Sequence, residues 1–165
     1  MRRIDRDSSA DERVIEECIR DSQVIRLALA DGDSPYIVPL CFGYEKKDDK
    51  RFFYIHKNRH GHLAELIGMN GMCTFELEGS SRLFLDHEKG TCNMDYASII
   101  GQGKIDIVED EAERERCLVL LMDHYGRGDF DFDRRAMKAI LVYKIEVAEL
   151  TCKATRGWKE AHGCL

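Results

Sequence analysis

The residues best suited to chemistry lie in a basic, histidine-rich turn before a predicted short helix. Lys57, Arg59 and His62 fall within six positions, and the apolar residues of that helix follow directly. Cations beside the N-terminus of a helix, whose amides and dipole favour an anion, can bind a phosphate group. Gly61 allows a positive φ or a close approach of the backbone. The turn is therefore suited to hold one phosphate group.

The same segment could instead hold a metal ion through His56, His60 and His62. Their spacing supplies two or three imidazoles, but no Asp, Glu or Cys lies between them to complete a site. We therefore favour histidines at the surface or facing phosphate and expect no metal. His56 ends a predicted strand where the turn opens. It is the candidate catalytic residue, as a proton donor to substrate or a hydrogen-bond donor to a cofactor.

The seven cysteines and the Gly101-x-Gly103 pair offer weaker signals. An odd number of widely spaced cysteines without C-x-x-C favours reduced thiols over a disulfide framework or a zinc ribbon. Cys41 and Cys92 could be redox-active, but we interpret them as core or wall thiols because nothing nearby in sequence favours the thiolate. Gly101 and Gly103 are interpreted as sites where a long strand bends.

Composition excludes several classes of function. The 165 residues carry a net charge of −6, with a pI near 5.5, which argues against a nucleic-acid-binding protein. The N-terminus lacks the apolar run of a signal peptide, and no apolar stretch approaches the roughly 20 residues that span a bilayer. The sequence thus predicts a cytoplasmic protein with no membrane or nucleic-acid partner.

The elements that must position these residues are mostly strands. Apolar spacing predicts a first amphipathic helix around Val14 to Ile19, a short helix after Gly61 and a third helix over 110–124. Residues 79–92 show weak periodicity, 126–133 form a predicted acidic loop, and 151–165 form a predicted C-terminal tail after a domain of residues 1–150. Alternating or apolar runs predict six strands, at 24–30, 36–44, 51–56, 73–78, 96–108 and 141–147.

Two turn signals define how the first strands pair. Asp31-Gly32 between the first two strands is typical of a hairpin. Pro39 cannot donate to a strand ladder, so its strand must lie at an edge or contain a bulge. Six sequentially paired strands would leave open edges, and closing into a barrel removes them. The pattern predicts a mainly β fold with flanking helices: a small antiparallel barrel.

Four segments resemble the FMN-binding split barrels related to pyridoxamine-phosphate oxidase, and within them the nitroimidazole-reductase branch. The opening Met1-Arg2-Arg3-x-Asp5-Arg6 is similar to the start of that branch, and 36–44 resembles its Y-I-V-P-L-x-F-G-Y strand. Phe53-Tyr54-Ile55-His56 with Gly61 resembles its strand that ends in His before a glycine. Residues 98–104 resemble its S-V-I-G-x-G segment. The match covers most of the first 150 residues in consistent order.

This resemblance implies a six-stranded antiparallel split β-barrel that works as a homodimer with FMN at the subunit interface. It places the flavin ring against one strand, the ribityl and phosphate groups at the basic turn, and residues of the second copy across the site. The cofactor-binding residues it implies are Val38, Pro39, Leu40, Cys41, His56, Lys57, Arg59, Gly61, His62, Tyr96 and Ser98. The family turn usually carries a lysine two residues after its glycine, where this chain has Leu63. Phosphate binding must then depend on Lys57, Arg59, His60 or His62, or be weak, or the cofactor is another phosphate-bearing molecule.

The implied activity is an FMN-dependent oxidoreductase that passes electrons from NAD(P)H to a small organic acceptor, with nitroimidazole-type nitroaromatics as one acceptor class. Residues after Lys144 lack the arginine-rich final strand expected of true pyridoxamine-phosphate oxidases, which disfavours a role in vitamin B6 synthesis. The alternative is a non-catalytic barrel that holds flavin or haem as a sensor or store; haem would need an axial ligand in an apolar pocket.

Overall fold

A computed structural model describes residues 7–165 of the chain, apart from the side chain of Arg134. The opening segment Met1 to Arg6, which contributed to the family resemblance, lies outside the described residues. The described residues divide into two units. We call residues 24–75 and 101–149 the sheet unit, and residues 7–23, 76–100 and 150–165 the terminal unit.

The described residues form ten strands and five helices. The strands are β1 (Ser8–Ser9), β2 (Ile25–Asp31), β3 (Ser34–Leu40), β4 (Gly43–Lys47), β5 (Lys50–Asn58), β6 (Met72–Glu78), β7 (Arg82–Asp86), β8 (Thr91–Asp95), β9 (Ala97–Ile107) and β10 (Ile140–Ala154). The helices are α1 (Glu12–Asp21), α2 (His62–Met69), α3 (Glu111–His124), α4 (Arg134–Ala139) and α5 (Arg156–Ala161). The mainly β composition with flanking helices is confirmed.

The main sheet runs in the order β3-β2-β6-β9-β10-β5-β4, and β1 pairs with β10. It therefore has eight strands, and the predicted count of six is wrong. One face of its strands in the sheet unit buries alternate apolar residues such as Ile25, Leu27 and Phe75. The rings of Phe53 and Phe75 meet edge to face at 5.1 Å in this core.

The connection between β3 and β4 explains how this open sheet curves. The sequence predicted one strand over 36–44, but the strand ends at Leu40, and β4 begins at Gly43 on the opposite edge of the sheet. Laid flat, seven strands would hold these edges roughly 29 Å apart. The chain from Leu40 to Gly43 can span only about 11 Å. The sheet must therefore curl until its edges approach, which gives a split barrel rather than a closed one.

Both turn predictions at the start of the sheet are confirmed. β2 and β3 form an antiparallel hairpin in which Asp31 lies opposite Ser34, and Gly32 has a φ of +57°. Pro39 lies on β3, which forms the edge of the sheet, so the proline interrupts no central ladder.

Helix α3 packs on the edge of the sheet unit formed by β4. Asp110 caps it by accepting a hydrogen bond from the Glu113 N–H at 2.8 Å, as predicted for a helix over 110–124. A Cβ at Gly43 would lie 2.5 Å from the Leu121 nitrogen, so only glycine lets the helix backbone approach β4 this closely. α3 thus covers the outer face of β4 and β5.

The terminal unit contains α1, the β7–β8 hairpin and the end of the chain. α1 begins after Asp11, whose carboxylate accepts from the Arg13 N–H, and it buries the four predicted apolar residues, Val14, Ile15, Cys18 and Ile19. The hairpin falls largely within residues 79–92, where the weak periodicity predicted neither a helix nor a strand. Residues 151–165, predicted as a tail, comprise the end of β10 and helix α5, and Trp158 is buried. No helix within residues 7–165 is long and apolar enough to cross a membrane.

Candidate functional site

The basic turn lies between β5 and α2, and we call its residues 57–62 the β5–α2 turn. Gly61 precedes α2 with a φ of +128°, a conformation that favours glycine, and its carbonyl accepts from the Ala64 N–H at 3.0 Å. A Cβ at Gly61 would lie 3.5 Å from the Lys57 Nζ, so the ammonium group lies over the backbone at the helix N-terminus. A cation and a helix N-terminus that carries no side-chain cap fit an anionic group here.

His62, predicted to face phosphate, is held by carboxylates instead. Its Nε2 lies 2.6 Å from the Asp31 carboxylate of β2, and its Nδ1 lies 3.5 Å from that of Glu65. The Tyr36 ring meets the imidazole edge-on at 5.1 Å. The hydrogen bonds to Asp31 and Glu65 raise the pKa of His62. This histidine therefore ties the turn to the β2–β3 hairpin, and its charge is partly neutralised.

The other cations of the turn point to different partners. The Arg59 Nε donates to the Lys138 carbonyl of α4 at 2.8 Å, and the side chain is exposed. His60 is also exposed. Leu63, at the position where the family has lysine, is fully buried, so this position supplies core packing and no charge. Lys57 is the cation placed over Gly61.

His56 lies on the opposite face of β5 from Lys57, because neighbouring strand residues point to opposite faces. It pairs with Val142 of β10, which belongs to the apolar cluster around Tyr54, Cys117 and Leu118. Its Nδ1 is buried and has no hydrogen-bond partner among the described residues. Burial lowers the pKa of His56, so the imidazole is neutral at pH 7. Within one copy of the chain, the structure therefore separates the predicted catalytic histidine from the predicted phosphate-binding lysine.

The four wall residues implied by the resemblance do not share one surface. Val38 and Leu40 lie on the core-facing side of β3, where they pair with Leu27 and Ile25 of β2. Pro39 pairs with Arg26 and is exposed on the outer side of the strand. A ring stacked on β3 would therefore contact backbone and alternate side chains.

Cys41 follows the end of β3, in the short connection to β4. Next to it, the Phe42 N–H donates to the Tyr125 hydroxyl at 3.2 Å. Burial is the main reason that the pKa of Tyr125 rises to about 12. Tyr125 thus fixes the connection that joins the two edges of the sheet.

Tyr96 and Ser98 belong to the terminal unit. The Tyr96 hydroxyl donates to the buried Asp7 carboxylate at 3.1 Å, and Tyr96 lines a cavity of about 520 Å³ together with Phe84, Asp95 and Lys159. Ser98 is half-buried on β9.

Sequence reasoning missed the carboxylate partners of His62 and the role of Tyr125. Glu65 follows His62 by three positions, a helical spacing that brings side chains together and could have been used. Asp31 and Tyr125 reach the site only through folding, and their sequence positions carry no such signal. The residues that the structure describes contain no group of three or more His, Cys, Asp or Glu side chains that could hold a metal ion.

Comparison with known families gives a match over most of the chain. A sequence model of the pyridoxamine 5'-phosphate oxidase family matches residues 11–154. A search of curated proteins finds no match.

Several solved structures share the fold. A candidate 5-nitroimidazole antibiotic resistance protein from Bacteroides thetaiotaomicron superposes with a TM-score of 0.77 at 26% identity, over 88% of this chain and 85% of that one. The flavocytochrome Anf3 from Azotobacter vinelandii gives 0.74 at 17% identity, over 91% and 70%. A protein from Mycobacterium smegmatis that binds FAD and haem gives 0.74 at 16% identity, over 92% and 75%.

Proposed function

Because the chain belongs to the pyridoxamine 5'-phosphate oxidase family, we propose that it is an FMN-dependent oxidoreductase that passes electrons from NAD(P)H to a small organic acceptor. When bound, the flavin supplies the electron-transfer chemistry, and the protein supplies binding, orientation and electrostatics. The description of the Bacteroides relative supports nitroimidazole-type nitroaromatics as the acceptor class to test first.

The observation that carries this proposal is the Lys57 ammonium group over Gly61 at the N-terminus of α2. A phosphate there would accept hydrogen bonds from the first amides of α2 and from Lys57, with Arg59 at the rim of the turn. His62 would contribute little, because Asp31 and Glu65 already share its charge. The β5–α2 turn therefore fits the phosphate of a flavin mononucleotide.

His56 is the proposed catalytic residue. A neutral imidazole donates from one ring nitrogen and accepts at the other. The Nδ1 is buried and finds no partner within residues 7–165. We propose that the imidazole bonds to the flavin or passes a proton to the reduced acceptor. A neutral ring is suited to either task near pH 7.

A homodimer would complete the site. Within one copy, the side chains of His56 and Lys57 point to opposite faces of β5. The other proposed contacts lie in the terminal unit and at the end of β3, on Val38, Pro39, Leu40 and Cys41. In the proposed arrangement, Tyr96 and Ser98 of the partner subunit contact the flavin bound to the first copy.

The phosphate assignment is tested by titrating the purified protein with FMN, FAD and riboflavin. Losing one charged phosphate contact should weaken FMN binding about tenfold or more in Lys57→Ala. Riboflavin lacks the phosphate, so its affinity should stay the same. Lys104→Ala is the matched control, since Lys104 pairs with Asp106 on an exposed part of β9. Equal FMN affinity in the wild type and Lys57→Ala would remove Lys57 from the site.

The catalytic assignment is tested anaerobically. NADH or NADPH should bleach the bound flavin, and a 5-nitroimidazole should restore its absorption; His56→Gln should slow the second step while leaving FMN bound. A flavin that neither donor reduces, or a Soret band from added haem, would instead support the non-catalytic alternative. A protein that binds neither flavin nor haem would overturn both.

A further inference from the structure

The terminal unit contains a cavity of about 520 Å³ that is lined by the β7–β8 hairpin, the end of β10 and helix α5. This volume lies within the range of pockets that hold small organic molecules. The lining combines two aromatic rings, Phe84 and Tyr96, with charged side chains. Phe84 is 52% exposed although it lines the cavity. A ligand that covered this ring would gain the free energy of burying apolar surface.

Hydrogen bonds from hydroxyl groups hold both carboxylates of the lining. The Asp95 Oδ1 accepts from the Thr155 hydroxyl at 3.0 Å, and the buried Asp7 carboxylate accepts from the Tyr96 hydroxyl at 3.1 Å. A Cβ at Gly157 would lie 2.5 Å from the Asp95 carboxylate carbon, so the carboxylate packs directly on the backbone of α5. No donor within residues 7–165 reaches the other oxygen, Oδ2. Asp95 therefore offers this oxygen to a ligand at a fixed position.

Lys159 supplies the opposite charge. It follows Thr155 by four positions, a helical spacing that places the two side chains on one side of α5, and its N–H donates to the Thr155 carbonyl at 3.1 Å. Within the described part of the chain, the Lys159 ammonium group has no carboxylate at ion-pair distance. The other cation of the lining, Arg156, pairs with Glu160 at 2.8 Å. The cavity thus presents one anionic and one cationic group that do not neutralise each other.

We propose that this cavity binds an aromatic α-amino acid. The ammonium group of the ligand donates to the Asp95 Oδ2, its carboxylate pairs with Lys159, and its ring packs on Phe84. In an α-amino acid a single carbon separates the two charged groups, which fits two lining charges held on one side of α5. The lining residues all belong to the terminal unit, so this site goes beyond the proposed oxidoreductase activity and needs no flavin.

Isothermal titration calorimetry of the full-length protein with L-phenylalanine tests the proposal. We expect binding of one molecule per chain. Three analogues each lack one group: 2-phenylethylamine has no carboxylate, 3-phenylpropionate has no ammonium group, and L-alanine has no ring. Each should bind about tenfold more weakly or worse, because each loses one contact. L-phenylalanine that does not bind, or that binds no more tightly than L-alanine, would overturn the proposal.

Two variants assign the two charged contacts. Asp95→Asn should weaken binding of L-phenylalanine and 2-phenylethylamine about tenfold and leave 3-phenylpropionate unaffected, whereas Lys159→Met should spare 2-phenylethylamine and weaken the other two. General unfolding would not give this reciprocal pattern. Lys89→Met is the matched control, since Lys89 is an exposed lysine of the same unit that pairs with Asp86. Equal weakening of all three compounds by Asp95→Asn and Lys159→Met would contradict the assignment.

Tyr96 borders the cavity and is also a proposed contact of the flavin bound to the other copy. L-phenylalanine is therefore titrated with and without saturating FMN. Equal affinities are expected for a separate site. Loss of L-phenylalanine binding in the presence of FMN would assign the cavity to the flavin site and overturn the proposal.

Discussion

At the residue scale, His62 links the β5–α2 turn to the β2–β3 hairpin through a charge pair that depends on pH. Hydrogen bonds to Asp31 and Glu65 raise its pKa above the value of about 6.5 expected in the unfolded chain. A histidine whose pKa is higher in the folded protein stabilises the fold fully when the pH is below its pKa in the unfolded chain. That stabilisation is lost as the pH rises through its pKa in the folded protein. His62→Gln should therefore lower the free energy of unfolding at about pH 6 and have little effect at about pH 9.

Urea denaturation of the wild type and His62→Gln at both pH values measures this difference. Asp31→Asn is the matched control, since it leaves the imidazole in place but removes the carboxylate nearest to it. Asp31→Asn should likewise lose most of the extra stability that the wild type shows at the lower pH. A wild-type stability advantage over His62→Gln that is as large at about pH 9 as at about pH 6 would contradict the assignment.

Sequence reasoning found the residues of the turn but not their partners. Residue types and spacing sufficed to place Lys57, Arg59, Gly61 and His62 in a turn beside a helix N-terminus, because that is a local feature. The pairing of His62 with Asp31 and of Arg59 with the Lys138 carbonyl joins segments that are distant in sequence. The opposite orientation of His56 and Lys57 follows from strand alternation, which could have been applied from the sequence once the strand was predicted.

At the element scale, the glycines of β9 allow β9 to pack closely against its neighbours. A Cβ at Gly101 would lie 2.3 Å from the Phe75 ring and 2.6 Å from the Glu149 carbonyl. From the sequence, Gly101 was interpreted as a site where the strand bends. In the structure, glycine is needed there because a side chain would collide with the Phe75 ring and with the backbone of Glu149. Gly101→Ala should lower the free energy of unfolding by about 1–3 kcal/mol through overpacking.

Gly68→Ala is the control for Gly101→Ala, and both are measured by denaturant unfolding. Gly68 lies within α2, and nothing approaches the position of its added Cβ within 4 Å. Alanine favours a helix over glycine, so this variant should be stabilised by up to about 1 kcal/mol. Similar destabilisation of both variants would show that the loss comes from something other than the contact with Phe75.

Helix α3 is fastened to β4 by the guanidinium group of Arg116. Its two terminal nitrogens donate to the two oxygens of Glu45 at 2.8 and 2.9 Å, and Glu45 also accepts from the Tyr54 hydroxyl. Arg116→Ala should lower the free energy of unfolding by about 1–2 kcal/mol. This is less than a buried pair would contribute, because the Arg116 side chain is partly exposed to solvent. Arg116→Lys should recover part of the loss, since lysine keeps the charge but not the paired geometry.

The control is Arg20→Ala, which removes the exposed Arg20–Glu17 pair of α1. Surface pairs of this kind contribute about 0.5 kcal/mol or less. Chemical denaturation of the three variants gives the comparison, and equal effects of Arg116→Ala and Arg20→Ala would contradict a role for Arg116 in fastening α3.

Secondary structure was predictable where one face of an element is buried. α1, α3, β2 and β6 bury apolar residues at regular intervals, and their predictions are confirmed. The β7–β8 hairpin lacks that regularity, since consecutive residues Leu83, Phe84 and Leu85 are all more than half exposed. The break between β3 and β4 was also missed, because the sequence is apolar on both sides of it within residues 36–44. The break goes with the curvature of the sheet, which is a property of the whole fold and not of this segment.

At the scale of the whole molecule, the exposed hairpin bears on the proposed homodimer. Leu83 lies opposite Met94, and Leu85 lies opposite Cys92, so the four side chains share one face of the two-stranded ribbon. We call these four residues the apolar ribbon face; all four are exposed. A two-stranded hairpin is only marginally stable in water by itself, and soluble monomers rarely expose contiguous apolar patches of this kind. Since the proposed site needs a second copy of the chain, that copy is the occupant expected to cover this face.

Charges on the apolar ribbon face should therefore separate the dimer. Leu83→Asp combined with Leu85→Asp should shift the protein from dimer to monomer in analytical ultracentrifugation, because burying a carboxylate without a partner costs more than the apolar contact gains. Val119→Glu on α3 is the control, since Val119 is exposed in the other unit, and this variant should stay dimeric. Circular dichroism checks that each variant folds. FMN binding should weaken in the monomer, because the partner subunit no longer completes the site. A wild type that is monomeric at micromolar concentration, or a double variant that remains a dimer, would remove this face from the interface.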